Sequence, residues 1–214
     1  MSRAPGSDLA MTTAPAPPPP DSAALREAAL GHLARYAATR ASLLRVLRRR
    51  VQRWAAAARA AGDAEPGAIA AHAKAAFEAA EAVVHRLAEA GAVDDAAFAA
   101  TRAARLARSG RSRRVIAAHL AARGVDGAMV TAAFDADVPD EWTAALLFAR
   151  RRRLGPFRRQ SGNTDETETG HGNERQMADL AAFARAGFPS EIARRVLAMD
   201  RAEAESRVEQ ARRG

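Results

Sequence analysis

Apolar positions along the chain recur at intervals of three and four residues, and no stretch alternates with a period of two. The first spacing places apolar side chains on one face of an α-helix, whereas alternation would be typical of a half-buried strand. Beta-branched residues are also sparse, which disfavours strands. The pattern therefore predicts an all-α protein.

The first predicted three-helix unit spans residues 22–91 and follows a proline-rich segment, residues 1–21. That segment has no apolar periodicity, so we expect a disordered tail. Ser22 is a plausible N-cap for the first helix, leucines from position 43 mark the second, and the third is predicted at about 68–90. This unit is divergent and carries additional sequence around residues 59–67, so its placement is the least defined of the three.

The second predicted unit spans residues 92–137, and short polar residues divide its helices. The side-chain oxygens of such residues accept hydrogen bonds from free N–H groups at a helix start. Gly124 suits the left-handed position that closes a helix. The predicted caps are, in order, Asp94 or Asp95, then Ser112, then Asp126.

The third predicted unit spans residues 138–200 and repeats the pattern of the second. "LAAFARAGFPSEIARRVLA" follows "IAAHLAARGVDGAMVTAAF" at a constant offset, so Phe183 matches Leu120 and Gly187 matches Gly124. Tandem units of this kind predict an elongated, curved helical body. Residues 160–176 lack apolar periodicity and are expected to form a polar loop. Residues 201–214 are expected to form a charged C-terminal tail that is either helical or frayed.

Composition narrows the possible partners. The chain has a formal net charge of +8, a pI of about 11.3 and 5% aromatic residues. A basic balance favours polyanionic partners, either nucleic acid or a nucleoprotein. Cysteine is absent and the five histidines show no metal-ligand spacing, so we predict no metal and no cofactor. No apolar run approaches membrane-spanning length and the first twenty residues do not resemble a signal peptide, which predicts a cytoplasmic protein without membrane contact.

Asp94 and Asp95 are the residues that most resemble an acid/base pair. Adjacent positions on a helix point about 100° apart, so the two carboxylates do not converge on one substrate atom. Capping explains them better, and contact with a partner remains an alternative. The sequence also contains no phosphate-cradling glycine loop and no nucleophile with an oriented base. We therefore predict no catalytic residues and no enzyme.

Clustered arginines are the candidate binding residues. Four consecutive arginines surround a helix, so some must face solvent or a partner, and a partner such as a polyanion is favoured there. For the remaining arginines a solvated helix face is the alternative. A further run, Arg48, Arg49, Arg50 and Arg53, lies in the divergent first unit. The predicted basic faces consist of Arg102, Arg105, Arg108, Arg111, Arg113 and Arg114 in the second unit and Arg150, Arg151, Arg152 and Arg153 in the third.

Three segments together resemble the RecX family of bacterial regulatory proteins: "VDDAAFA", "GRSRRVIAAHLAARGV" and "FARAGFPSEIARRVL". The resemblance runs from about Leu25 to Met199 and is strongest over residues 91–134. Each motif is a cap or a packing position, and their order and spacing carry the specificity. Arg102 departs from the pattern, because relatives place a bulky apolar residue there.

The resemblance implies a function. RecX proteins bind the RecA recombinase and its filament on single-stranded DNA, and they restrain ATP hydrolysis, strand exchange and filament growth during DNA repair and recombination. We therefore expect a monomeric RecA regulator with at most weak DNA contact. The alternative is a basic helical module that binds DNA directly, with "GRSRRVIAAHL" as the reading element.

Overall fold

The computed structural model describes residues 17–62, 64–136, 138–158 and 168–213, with side chains described from residue 172 to residue 211 in the last segment. These residues form ten α-helices and one short 3-10 helix, and they contain no strand. The all-α prediction is thereby confirmed. The chain divides into two compact units, Met1–Val93 and Asp94–Gly214.

The first compact unit contains α1 (Ser22–Leu33), α2 (Arg40–Ala61) and α3 (Pro66–Glu89). Asp21, not Ser22, caps α1, because its Oδ1 accepts a hydrogen bond from the Ala24 N–H at 2.7 Å. Thr39 and Ser42 form a reciprocal capping box at the start of α2. The fully buried core residues include Leu25, Leu43, Leu47 and Val51. Val93 also packs in this core, so the unit ends two residues later than predicted.

The prediction of a disordered tail is wrong for its last residues. The indole Nε1–H of Trp54 donates a hydrogen bond to the Pro17 carbonyl oxygen at 2.7 Å. A half-buried indole N–H requires an acceptor, and the chain before α1 provides it. Residues 1–16 of the predicted tail lie outside the described residues.

The second compact unit begins with α4 (Asp95–Arg108), α5 (Arg113–Ala121) and α6 (Gly127–Asp135). Asp94 caps α4 through a 2.9 Å hydrogen bond from the Ala97 N–H, and Asp126 caps α6 through a 2.8 Å bond from the Met129 N–H. Asp95 is not a cap: it is the first residue of α4, and it is buried. The core residues that α4 contributes are alanines, and those of the following segments are mostly larger aliphatic residues. The buried core consists of Ala99, Ala103, Ala107, Ile116, Leu120, Val125, Val130 and Ala133.

The next three helices are α7 (Glu141–Arg152), α8 (Glu168–Arg185) and α9 (Ser190–Leu197), with a 3-10 helix at Gly155–Phe157. Their core is aromatic: the rings of Phe148, Phe183 and Phe188 lie with centroids 5.1 to 5.6 Å apart. Gly124 and Gly187 occupy equivalent left-handed positions, with φ of 81° and 82°. The caps differ, since Pro189 precedes α9 without a side-chain hydrogen bond.

One predicted loop is partly helical instead. Residues 168–176 of the predicted polar loop belong to α8, whereas residues 160–167 lie outside the described residues. A helix propagates cooperatively once nucleated, so the packed part around Phe183 extends N-terminally into polar residues that have no apolar stripe in the sequence.

The predicted charged tail is α10 (Arg201–Arg213). Ala204 and Val208 are buried in the aromatic core that α7, α8 and α9 form, and α10 packs on α7. Two small residues one turn apart form too narrow a stripe for the sequence pattern to reveal. Asp200 caps this helix through its Oδ1, which accepts from the Ala202 and Glu203 N–H groups.

Candidate arginine interaction surface

The densest predicted cluster lies at the end of α7. Arg150, Arg151 and Arg152 form the last turn of the helix and are exposed, while Ala149 immediately before them is fully buried. Cations at this end of a helix interact favourably with its macrodipole. The same turn therefore places three guanidinium groups on the surface, ahead of a chain reversal at Arg153.

Arg153 has a backbone conformation that arginine rarely adopts. Its φ of 57° and ψ of 47° lie in the left-handed region, and it is the only non-glycine residue with positive φ among the described residues. The Leu154 N–H donates to the Ala149 carbonyl at 2.9 Å, which closes the helix. A side chain in this conformation costs about 1 to 2 kcal/mol. The exposed arginine at position 153 therefore lowers the stability of the fold by a measurable amount relative to glycine.

Arg158 does not join this cluster. Its Nη2 donates to Asp179 Oδ2 at 2.6 Å, and the same oxygen accepts from the Gly155 N–H at 3.0 Å. The carboxylate of Asp179 is buried, so the pair holds the 3-10 helix against α8. Arg159 lies outside the described residues. Among the described residues, the exposed cluster at the end of α7 therefore consists of residues 150–153.

The predicted arginines of the second set of helices divide into exposed and packed residues. Arg102 is only half-exposed, because its Nε donates a hydrogen bond to Nε2 of His119 at 3.0 Å. The guanidinium of Arg113 lies 5.1 Å from the centroid of the Phe134 ring, a cation–π distance. Arg113 is nevertheless exposed, as are Arg105, Arg108, Arg111 and Arg114.

The contact of Arg102 changes the chemistry of His119. Burial lowers the pKa of His119 below its ordinary value of 6.5, and the positive charges of Arg102 and Arg123 lower it further. A neutral imidazole can accept the Arg102 hydrogen bond, whereas an imidazolium cannot. His119 is thus a packing residue that orients an arginine.

Glu141 connects α7 to α5. Its Oε2 accepts a hydrogen bond from the Arg113 N–H at 2.8 Å. Burial raises the pKa of the Glu141 carboxyl, while this hydrogen bond and the Arg113 charge act in the opposite direction. This role of Glu141 has no local signal in the sequence, because its partner lies 28 residues earlier in the chain.

Trp142 is half-buried and packs against the aromatic core. The guanidinium groups of Arg195 and Arg207 lie 4.7 and 5.9 Å from its ring centroid. Its Nε1 is buried without a hydrogen-bond partner in the described part of the chain. Only the spacing of aromatic residues was visible in the sequence, and the arginines that cover the ring come from distant helices.

Neither a metal site nor a membrane span is present in the ranges that the structure covers. No group of three histidine, aspartate or glutamate side chains there is arranged to hold a metal ion. None of the helices there combines the length and the apolar character needed to cross a bilayer.

These features define a basic, all-α protein built from three-helix sets, with arginines exposed at helix ends. Residues 94–133 match a known family domain, the second three-helix domain of RecX. The chain is 42% identical over 176 residues to "Regulatory protein RecX" of Myxococcus xanthus (strain DK1622), a match that covers 81% of this chain and 83% of that protein. It is 39% identical over 114 residues to the "Regulatory protein RecX" of Agrobacterium fabrum (strain C58 / ATCC 33970), covering 53% of this chain and 56% of that protein. The chain belongs to the RecX family.

The family predicted from the sequence is therefore confirmed. RecX proteins are regulators that modulate RecA activity and are not enzymes. The first two of the three segments that carried the resemblance fall on the matched domain, which begins at Asp94, whereas the third, residues 183–197, lies outside it.

Proposed function

We propose that this chain acts in the cytoplasm as a monomeric inhibitor that binds RecA and the RecA–single-stranded-DNA filament. The contact uses the exposed arginines, above all Arg150–Arg153, and it restrains ATP hydrolysis, strand exchange and filament growth. Regulation follows if the contact favours one filament state over another. The observation that carries this assignment of the surface is Arg153, an exposed arginine held in a strained backbone conformation.

Two physical arguments support the arginine surface. Guanidinium groups recognise carboxylates and phosphates through paired hydrogen bonds, so one cluster suits both the acidic surface and the DNA of a nucleoprotein filament. Strained residues persist where the surrounding structure or the function requires them. Glycine would close α7 at lower cost, which favours a role for the Arg153 side chain outside the fold.

A base-reading role for α5 has less support. Its hydroxyl-bearing N-cap, Ser112, is buried and donates its Oγ–H to the Ala186 carbonyl at 2.7 Å. Ile116 and Leu120 are fully buried. The exposed positions of α5 beyond its first turn are Ala118 and Ala121, which offer no hydrogen bonds to base edges.

The proposal is tested by titrating the protein into RecA reactions and measuring DNA-dependent ATP hydrolysis and strand exchange. We expect inhibition at equimolar or lower ratios. Replacement of Arg150, Arg151 and Arg152 by alanine should weaken inhibition about tenfold or more, because several charge-assisted contacts are lost. Circular dichroism should show unchanged helicity, since alanine favours a helix.

The matched control removes the same charge from the same set of helices: Arg175→Ala, Arg185→Ala and Arg194→Ala together. These three arginines are exposed on α8 and α9. Equal weakening by both triple variants would show a general charge effect and contradict the assigned surface. Absence of inhibition by the wild type, together with tight salt-sensitive binding to bare DNA, would contradict the regulator itself.

A further inference from the structure

A groove between α1 and α2 opens to the surface of the first compact unit. Its volume is about 320 Å³, and small residues form part of its wall, among them Ala24, Ala28 and Gly31. Because these side chains are short, the two helices leave room between them for an elongated ligand. This groove lies outside the arginine surface described above.

The rim of the groove is basic. Arg35 contributes from the end of α1, and Arg50 and Arg53 from one face of α2, three residues apart. The Nε–H of Arg35 donates to the Gly31 carbonyl at 3.1 Å, which orients its guanidinium along the helix end. All three side chains are exposed. Three guanidinium groups along one groove favour a ligand with regularly spaced anionic groups.

An exposed aromatic residue adjoins this rim. Tyr36 is 60% exposed, and it is the only exposed aromatic among the large hydrophobic residues of the described chain. Its ring centroid lies 5.2 Å from that of His32, which lines the groove. The Tyr36 N–H donates to the His32 carbonyl at 2.9 Å, which holds the backbone of Tyr36 next to a residue of the groove lining. An exposed ring beside basic residues is the arrangement used to stack unpaired bases.

We propose that this groove is a binding site for single-stranded DNA, in which Arg35, Arg50 and Arg53 hold phosphates and Tyr36 stacks on a base. Glu27, the one acidic residue of the lining, repels a peptide that carries only carboxylates. In a nucleic-acid complex it accepts a hydrogen bond from a base N–H group, such as N3–H of thymine. The groove therefore fits a single strand better than an acidic protein segment.

This site is independent of the RecA contact, and only the choice of DNA over RNA rests on the proposed function. The test accordingly omits RecA. Fluorescence anisotropy of a short labelled oligothymidylate measures binding to the full chain, with oligouridylate, duplex DNA and polyglutamate as competitors. We expect binding of oligothymidylate to be salt-sensitive. We also expect unlabelled oligothymidylate to displace the labelled strand better than oligouridylate, duplex DNA or polyglutamate does.

Variants locate the site. Arg50→Ala with Arg53→Ala should reduce the slope of log K against log salt by about 1.4, because each lost phosphate contact contributes about 0.7 for a single strand. Tyr36→Ala should weaken binding about tenfold, whereas Tyr36→Phe retains the stacking ring and the affinity. The control, Arg48→Ala with Arg59→Ala, removes the same charge from α2 outside the groove lining and should leave most of the affinity.

A chemical readout reports on the ring itself. Tyr36 is the only tyrosine of the chain, so nitration by tetranitromethane followed by mass spectrometry is specific to it. Bound oligothymidylate should protect it at least severalfold. Lack of binding, equal loss in both double-arginine variants, an unaffected Tyr36→Ala, or better competition by polyglutamate or oligouridylate would each overturn the proposal.

Discussion

The turn after α4 and the turn after α7 close their helices in the same way with different residues. Gly110 has φ of 72° and its neighbour Arg111 donates its N–H to Leu106 at 3.1 Å, while Arg153 has φ of 57° and Leu154 donates to Ala149. A Cβ on Gly110 would lie 2.7 Å from the Phe148 backbone nitrogen. Arg153 is exposed. Close packing requires glycine at position 110. The turn at Arg153 has room for a side chain, although the left-handed backbone there disfavours one.

The difference separates two kinds of constraint. At Gly110 the packing of α4 on α7 and the left-handed backbone both favour the residue present. At Arg153 the backbone favours glycine, and the proposed binding role of the side chain would account for the arginine. Local disagreement between residue type and conformation is a physical indicator of a functional position.

The largest expected effect is at Gly110. Gly110→Ala combines a left-handed conformation that alanine disfavours with a clash against the α7 backbone, so we expect a loss of about 3 kcal/mol in the free energy of unfolding. Urea denaturation followed by circular dichroism measures it. Gly91→Ala is the control, because Gly91 also has positive φ but an added Cβ meets nothing within 4 Å. A loss as small as the control's, about 1 kcal/mol, would refute the close-packing argument.

An effect of opposite sign is expected at Arg153. Arg153→Gly relieves the left-handed strain, and after the greater chain entropy of glycine is subtracted we expect a gain of about 0.5 to 1 kcal/mol. Arg151→Gly removes the same charge within the helical turn and should instead cost about that amount. The same denaturation curves measure both variants. A loss of stability in Arg153→Gly would show that Arg153 serves the fold.

The smallest effect is the pH dependence contributed by His119. Its pKa in the folded protein is lowered, so the unfolded chain binds more protons in the window below the ordinary value of 6.5. Its contribution to stability is therefore complete above about pH 6.5 and is lost as the pH falls through the lowered pKa. In His119→Gln, which retains an acceptor for Arg102, unfolding curves at several pH values should lack this component. An identical pH dependence in both proteins would contradict the assignment.

Most of the fold was predictable because its signals are local. Asp94 and Asp126 cap helices within three residues of themselves, and Gly124 and Gly187 close helices where the spacing places them. The misjudged segment lacks such signals, because the polar start of α8 is helical through cooperativity with its packed end. The choice between a helical and a frayed tail stayed open in the sequence, because α10 is held by only two small apolar residues.

The candidate surfaces were only partly predictable, since they depend on contacts between distant residues. The sequence identified the arginines of α4 and α7 but not the His119 bond that half-buries Arg102 or the Asp179 pair that engages Arg158. The left-handed conformation of Arg153 had no signal, because glycine ordinarily marks such positions. In the first compact unit the sequence shows the run Arg48, Arg49, Arg50 and Arg53. It gives no signal for Tyr36, whose candidate role depends on its position beside the groove.

The most direct test of the central claim measures inhibition of RecA's DNA-dependent ATPase by wild type, Arg153→Gly and Arg151→Gly at matched concentrations. If the cluster at the end of α7 contacts the filament, Arg153→Gly should inhibit severalfold less well although it is the more stable protein. Arg151→Gly should also inhibit less well. Undiminished inhibition by Arg153→Gly, measured on the same preparation that shows its higher stability, would contradict the claim that the arginine is held there for binding.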